Sequence, residues 1–142
     1  MRILLSWLQE YVEVKEPVRE LAHALTMAGL KVDSVSSERG ETVFELDITA
    51  NRPDAMNHMG VAREVAAVYG REFRVPEIRL REDARPAASA AAIEIADPDL
   101  CARYVGRVAL DVKVGPAPDW MRRRLELCDV RSINNVADIT NY

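Results

Sequence analysis

The chain has 142 residues, 49% of them apolar and 30% charged, with a formal net charge of −4. That length suits one ordinary domain or two small ones, and no apolar run approaches the ~20 residues that cross a bilayer. An acidic balance gives no general pull toward nucleic acid, and Met1–Ser6 is too short for a signal peptide, so the cytoplasm is the expected compartment.

Ser6 opens the first predicted helix, with Gln9 three residues on as a capping-box partner and Leu8, Tyr11 and Val12 on one face. Pro17 starts the second, since a first-turn residue needs no N–H; Val18, Leu21, Ala22 and Leu25 keep its helical spacing. Gly29 stops it. Lys31–Ser36 reads as a strand, Ser37–Gly40 as a turn, and Thr42–Thr49 as a second strand with Phe44, Leu46 and Ile48 on one side. After the loop Ala50–Asp54, a helix over Asn57–Tyr69 buries Val61, Ala62, Val65, Ala66 and Tyr69, and Gly70 ends it.

Arg, Ala and Pro then dominate residues 76–92 without a sustained period, which marks a linker. Ala91–Ile95 and Tyr104–Val114 read as strands around a turn at Asp97-Pro98-Asp99. Pro118 leads a helix through Cys128, with Trp120, Met121, Leu125 and Cys128 inward and Arg122, Arg123 and Arg124 outward. The last segment, from Ser132, keeps helical spacing through Ile133, Val136, Ala137 and Thr140, against a β-branched content that suits a strand; helix is the reading preferred. The expected fold class is therefore α+β. A helix-rich unit with a short antiparallel sheet spans residues 1–75, a linker 76–92, and the start of a mixed α/β domain 93–142.

Generic catalytic signatures are missing. The sequence has no P-loop, no GxGxxG, no HExxH and no GxSxG. Cys101 and Cys128 are far apart, and His23 and His58 have no Cys or His at ligand spacing, so no metal site is expected. Of 19 basic residues 16 are arginines, clustered at Arg71, Arg74, Arg79, Arg81 and Arg85 and at Arg122–Arg124. They are either solvated faces or local phosphate contacts.

Two segments stand out. In Asn51-Arg52-Pro53-Asp54, Pro53 keeps Arg52 extended, Asn51 shapes a turn, and Asp54 or Asn57 can cap the next helix. The loop either offers Arg52 to a carboxylate or phosphate or simply pins strand to helix. Near the end, Asn134, Asn135, Asp138, Thr140 and Asn141 crowd small polar groups among apolar ones. They either bind a polar ligand or water, or form a structural hydrogen-bond network; they include no strong base or nucleophile.

In order along the chain, SWLQEYV, LAHALTMAGLKVDSV, ELDITANRPDAMNHMGVAREVAAVYG, CARYVGRVALDVKV and PDWMRRRLELCDVRSINNVADITNY resemble the N-terminal part of a bacterial phenylalanyl-tRNA synthetase β subunit. The resemblance covers nearly everything except the linker. It departs at Ser36–Glu41, where most bacterial members carry an OB-type tRNA-binding insert. Ala50 stands for a usual proline, and Ala55-Met56 for a usual Cys-Leu. The resemblance also implies that the chain stops inside the editing domain, before that pocket's histidine.

By the same resemblance the full enzyme is a cytoplasmic (αβ)₂ ligase that uses ATP and Mg²⁺ to join phenylalanine to tRNA. No aminoacylation residue and no cofactor belong to this segment, and no membrane is involved. The β subunit's editing of mischarged tyrosyl-tRNA would involve Thr140 and Asn141, with Asn51, Arg52 and Asp54 forming a structural loop. This piece would be inactive by itself. The competing expectations are a stand-alone tRNA- or nucleic-acid-binding module and a subunit-interaction module.

Overall fold

The computed structural model describes every residue, Met1–Tyr142. Contacts divide the chain into two units: Met1–Glu77 with Gly115–Tyr142, and Ile78–Val114. The first is α+β, as its residue pattern predicts.

Its sheet has three antiparallel strands in the order β1-β3-β2: β1 (Arg2–Leu4), β2 (Lys31–Glu38) and β3 (Glu41–Asp47). Arg39 and Gly40 alone join β2 to β3, both at positive φ (51° and 77°). That twist matches the strands it connects, which is why such two-residue turns favour glycine. Nothing is inserted between these strands. β3 lies in the centre and buries Val43, Phe44 and Leu46; each side chain of that size contributes about 1.5–3 kcal/mol when taken fully from water.

β1 was not foreseen. Ile3 pairs with Phe44 and Leu4 with Val43, and the chain turns directly into α1 (Leu5–Leu8). Ser6 therefore lies inside the helix and forms no capping box with Gln9. Its N–H and hydroxyl instead donate to the Glu41 carboxylate at the start of β3, so a residue from across the sheet satisfies an N–H that a neighbour was expected to accept from.

α2 (Val18–Met27) follows Pro17, buries Leu21 and Leu25, and ends before Gly29 at φ 92°. α3 (His58–Tyr69) buries Val61, Ala62, Val65 and Ala66, as its spacing predicts, leaves Tyr69 half-buried at the edge of the core, and closes on Gly70 in the left-handed region. Asn57 supplies the cap, accepting from the Gly60 N–H at 2.8 Å. α4 (Asp119–Leu127) and α5 (Asn135–Asn141) complete the unit. The last segment is helical, as its spacing predicts.

α4 departs from its expected facing. Met121 and Leu125 are buried with Ala117 against Val130, but Leu127 enters the main core while Trp120 stays 53% exposed. Ion pairs fasten α4 and the turn after it to the N-terminal residues: Arg39 to Glu126 at 2.8 Å and Arg2 to Asp129 at 2.8 Å.

The second unit, Ile78–Val114, contains only a 3₁₀ turn at Ala87–Ser89. The turn near Asp97 forms, closed by the Cys101 N–H on the Asp97 carbonyl. The strands expected over Ala91–Ile95 and Tyr104–Val114 do not. Their alternating residues are suited to a pleated surface, but a strand requires ladder partners, and no residue of the chain pairs with them. Tyr104, Val105, Leu110, Val112 and Val114 are consequently exposed.

Candidate functional site

The loop ahead of α3 is a 3₁₀ turn, Pro53–Ala55, with Ala55 fully buried. Arg52 lies over it. Its Nε and Nη2 donate to both oxygens of Asp54 at 3.1 and 2.9 Å, and Nη2 also donates to Glu64 Oε1 at 2.6 Å. Arg52 holds the Asp54 carboxyl below its ordinary value. A bidentate carboxylate plus a second acceptor consumes the guanidinium's fork, so the arrangement pins loop to helix and leaves little to offer an external anion. Asn51 is exposed beside it.

Gly60, in the first turn of α3, fits against this loop. A Cβ there would sit 1.9 Å from the Asp54 carbonyl oxygen and 2.9 Å from the Ala55 Cα. Only a residue without a side chain permits that approach.

At the other end of the chain, most of the polar density is structural. Asn134 caps α5, its Oδ1 accepting from the Val136 and Ala137 N–H groups at 3.0 and 2.9 Å. Asn135 Oδ1 accepts from the Gly115 N–H at 3.1 Å, and its own N–H donates to the Gly115 carbonyl at 2.7 Å. Asp138 has no exposure at all; it accepts from the Ser132 hydroxyl at 2.6 Å and the Ile133 N–H at 2.8 Å. Those two bonds, the hydroxyl's first, hold its carboxyl below the usual carboxylate value. Each satisfies a backbone or side-chain group that would otherwise be orphaned.

Thr140 and Asn141 differ. Both are exposed on the last turn of α5; the Thr140 hydroxyl donates to the Ala137 carbonyl at 2.7 Å, which leaves its oxygen able to accept. The structure thus separates them from Asn134, Asn135 and Asp138.

Tyr142, next to them, reaches back to the N-terminal helix. Its ring stacks on Trp7 (centroids 4.4 Å apart, planes at 13°) and meets the edge of Trp120 at 5.3 Å. Arg124 Nη1 donates to the Tyr142 hydroxyl at 2.6 Å, and the guanidinium lies 5.1 Å from the Trp7 ring. Glu10 pairs with the same arginine. On the Trp7–His58 side the rings are also stacked, 3.9 Å apart, and His58 Nε2 accepts the Leu4 N–H at 3.1 Å. That bond needs neutral imidazole, and burial, aided by the Arg124 charge, pushes His58 down to about 4. Trp7, His58, Arg124 and Tyr142 were not recognised as a group from the sequence, where Trp7 and Tyr142 lie at opposite ends with no local signal linking them.

The arginine clusters are largely occupied. Arg71 bonds the Glu13 carbonyl and the Glu16 carboxylate, Arg85 pairs with Asp83, Arg122 with Asp119, and Arg123 donates to the Arg39 carbonyl. This favours solvated faces and helix fastening over a phosphate surface. Cys128 is half-buried, its thiol pushed up to about 11 by burial, which disfavours the nucleophilic thiolate. No helix is long and apolar enough to cross a membrane.

Residues 100–142 match the B3/4 domain family. The match covers less than a third of the chain and takes in α4 and α5. The phenylalanine–tRNA ligase β subunit of Anaeromyxobacter dehalogenans is 50% identical over 102 residues, 72% of this chain and 13% of that protein. That of Bdellovibrio bacteriovorus is 42% identical over 122 residues (84% and 15%), and that of Rhodopirellula baltica 34% over all 142 residues (100% and 21%). The chain belongs to the phenylalanine–tRNA ligase β-subunit family and spans between 13% and 21% of the length of these relatives.

Proposed function

We propose that this chain serves as the N-terminal portion of the β subunit of a phenylalanine–tRNA ligase, acting mainly as scaffold, with Thr140 and Asn141 contributing to hydrolytic editing of mischarged tyrosyl-tRNA. The observation that carries this reading is their contrast with the rest of the terminal polar run. Asn134, Asn135 and Asp138 are consumed by the fold, whereas Thr140 and Asn141 are exposed.

In the editing reaction a water oxygen bonds to the tyrosyl carbonyl carbon. The ester bond to the tRNA ribose breaks, and the water's proton passes to the ribose oxygen. Thr140 and Asn141 would hydrogen-bond the tyrosine hydroxyl or hold the water. A site that depends on a substrate hydroxyl discriminates against phenylalanine, which lacks it. Asn51, Arg52 and Asp54 are read as structural.

Aminoacylation, with its ATP and Mg²⁺, is assigned to the α subunit of a cytoplasmic (αβ)₂ assembly. By the family's division of labour no residue here is given a part in that chemistry, and this segment alone is expected not to deacylate tRNA. The test is deacylation of tyrosyl-tRNA(Phe) by the full-length β subunit with its α partner. Thr140→Ala and Asn141→Ala are each expected to slow it at least about tenfold, the scale of a lost discriminating hydrogen bond. Unchanged rates in both variants would refute the assignment.

A further inference from the structure

We infer that Tyr142 is a positioning residue: its ring, clamped on Trp7, fixes the end of α5 and so sets where Thr140 and Asn141 stand. This rests on the editing reading for those two residues, but its structural half is testable without it.

The first half of α5 is tied down three times, by the Asn134 cap, the Asn135–Gly115 pair and the buried Asp138. Its last turn has no comparable side-chain anchor. Ile139, Thr140 and Asn141 are all exposed, and Thr140 bonds only within the helix. What holds that end is Tyr142: its N–H donates to the Asp138 carbonyl at 2.8 Å, its ring stacks on Trp7, and its hydroxyl accepts from Arg124.

Trp7 is itself an immobile base. It is 6% exposed, donates through Nε1 to the Tyr11 hydroxyl at 3.3 Å, and is stacked with His58, which is in turn bonded to the β1 backbone. A continuous line of packed rings and hydrogen bonds thus runs from the sheet to the residue following Asn141. Residues near the start of the chain thereby govern the placement of a pair at its other end, through stacking and a charge-assisted hydrogen bond, both of which are geometrically demanding.

The test has two arms. In this 142-residue chain, backbone amide exchange at Thr140 and Asn141 is compared for the parent, Tyr142→Ala and Tyr142→Phe. Tyr142→Ala removes a partly exposed side chain and leaves the main core intact. It is expected to speed exchange at both positions about tenfold, with Leu21 and Val65 unchanged; Tyr142→Phe keeps the stack and should restore most of the protection. Parent-like exchange in Tyr142→Ala overturns the inference.

In the full-length β subunit with its α partner, Tyr142→Ala is expected to lower kcat for tyrosyl-tRNA deacylation with KM for tRNA unchanged, and Tyr142→Phe to rescue it. A rise in KM alone, or no rescue, also overturns it. Loss of protection in the first arm, with deacylation indifferent to Thr140→Ala and Asn141→Ala, supports the clamp and instead refutes the editing reading.

Discussion

Replacing Gly60 with alanine tests the tightest approach at any glycine of the chain. On helical propensity alone the change should stabilise α3 by about 1 kcal/mol. The structure reverses that sign. The new Cβ would lie 1.9 Å from the Asp54 carbonyl oxygen, whereas real Cβ atoms essentially never approach within 3.0 Å, so the 3₁₀ turn must retreat by about 1 Å. The obstacle is backbone, which cannot swing aside as a side-chain tip does. Its retreat would loosen Ala55 from the core and stretch the Arg52–Asp54–Glu64 bridge. Overpacking of this kind costs about 1–3 kcal/mol, and a rigid neighbour places Gly60→Ala at the upper end. The expected net loss is about 2 kcal/mol, which corresponds to a Tm roughly 7 °C lower. Thermal melting followed by circular dichroism measures it, with Gly115→Ala as control, since a Cβ there meets nothing within 4 Å. An unchanged or higher Tm in Gly60→Ala would refute the reasoning.

Protonation of His58 gives a second prediction. Burial holds its pKa at about 4 in the folded state against the ordinary histidine value of 6.5, so between those limits the unfolded state binds the extra proton and stability rises with pH. Urea denaturation should show up to about 3 kcal/mol lost as the pH falls from 7 toward 4, and His58→Gln should flatten the slope between pH 5 and 6.5; an equal slope in both proteins would exclude His58 as its source. A third prediction concerns Asp138. Asp138→Ala strips the acceptor from Ser132 and Ile133, and should lower the Tm by more than Asn134→Ala, a cap loss worth about 1 kcal/mol. Calorimetry that ranked the two variants the other way would show that the buried carboxylate is dispensable.

How much of this was legible in the sequence depended on distance along the chain. α2 and α3 were readable because their apolar spacing and their stops at Gly29 and Gly70 are local. β1 was not, for three residues acquire their conformation only by pairing with residues 43–45. Ser6 and Gln9 satisfied a local rule that a carboxylate from β3 overrode. Over 91–95 and 104–114 the residue pattern suits strands, yet pattern alone provides no hydrogen-bond partner. In the candidate site, Asn134 is recognisable as a cap from its position, and the doubt over Arg52 resolves only when Glu64 is seen beside it. The Trp7–Tyr142 stack leaves no trace in sequence because neither residue has a local reason to meet the other.

Leu127 belongs to the same core as Ile3, Leu8 and Phe44. During synthesis the ribosome must therefore make Ile78–Val114 and α4 before the core begun by the first strand can close. At about 5–20 residues per second, that is a wait of several seconds. Through that interval the incomplete unit leaves unburied the apolar surface that Leu127 covers, and a translational pause placed after Glu77 would lengthen that exposure.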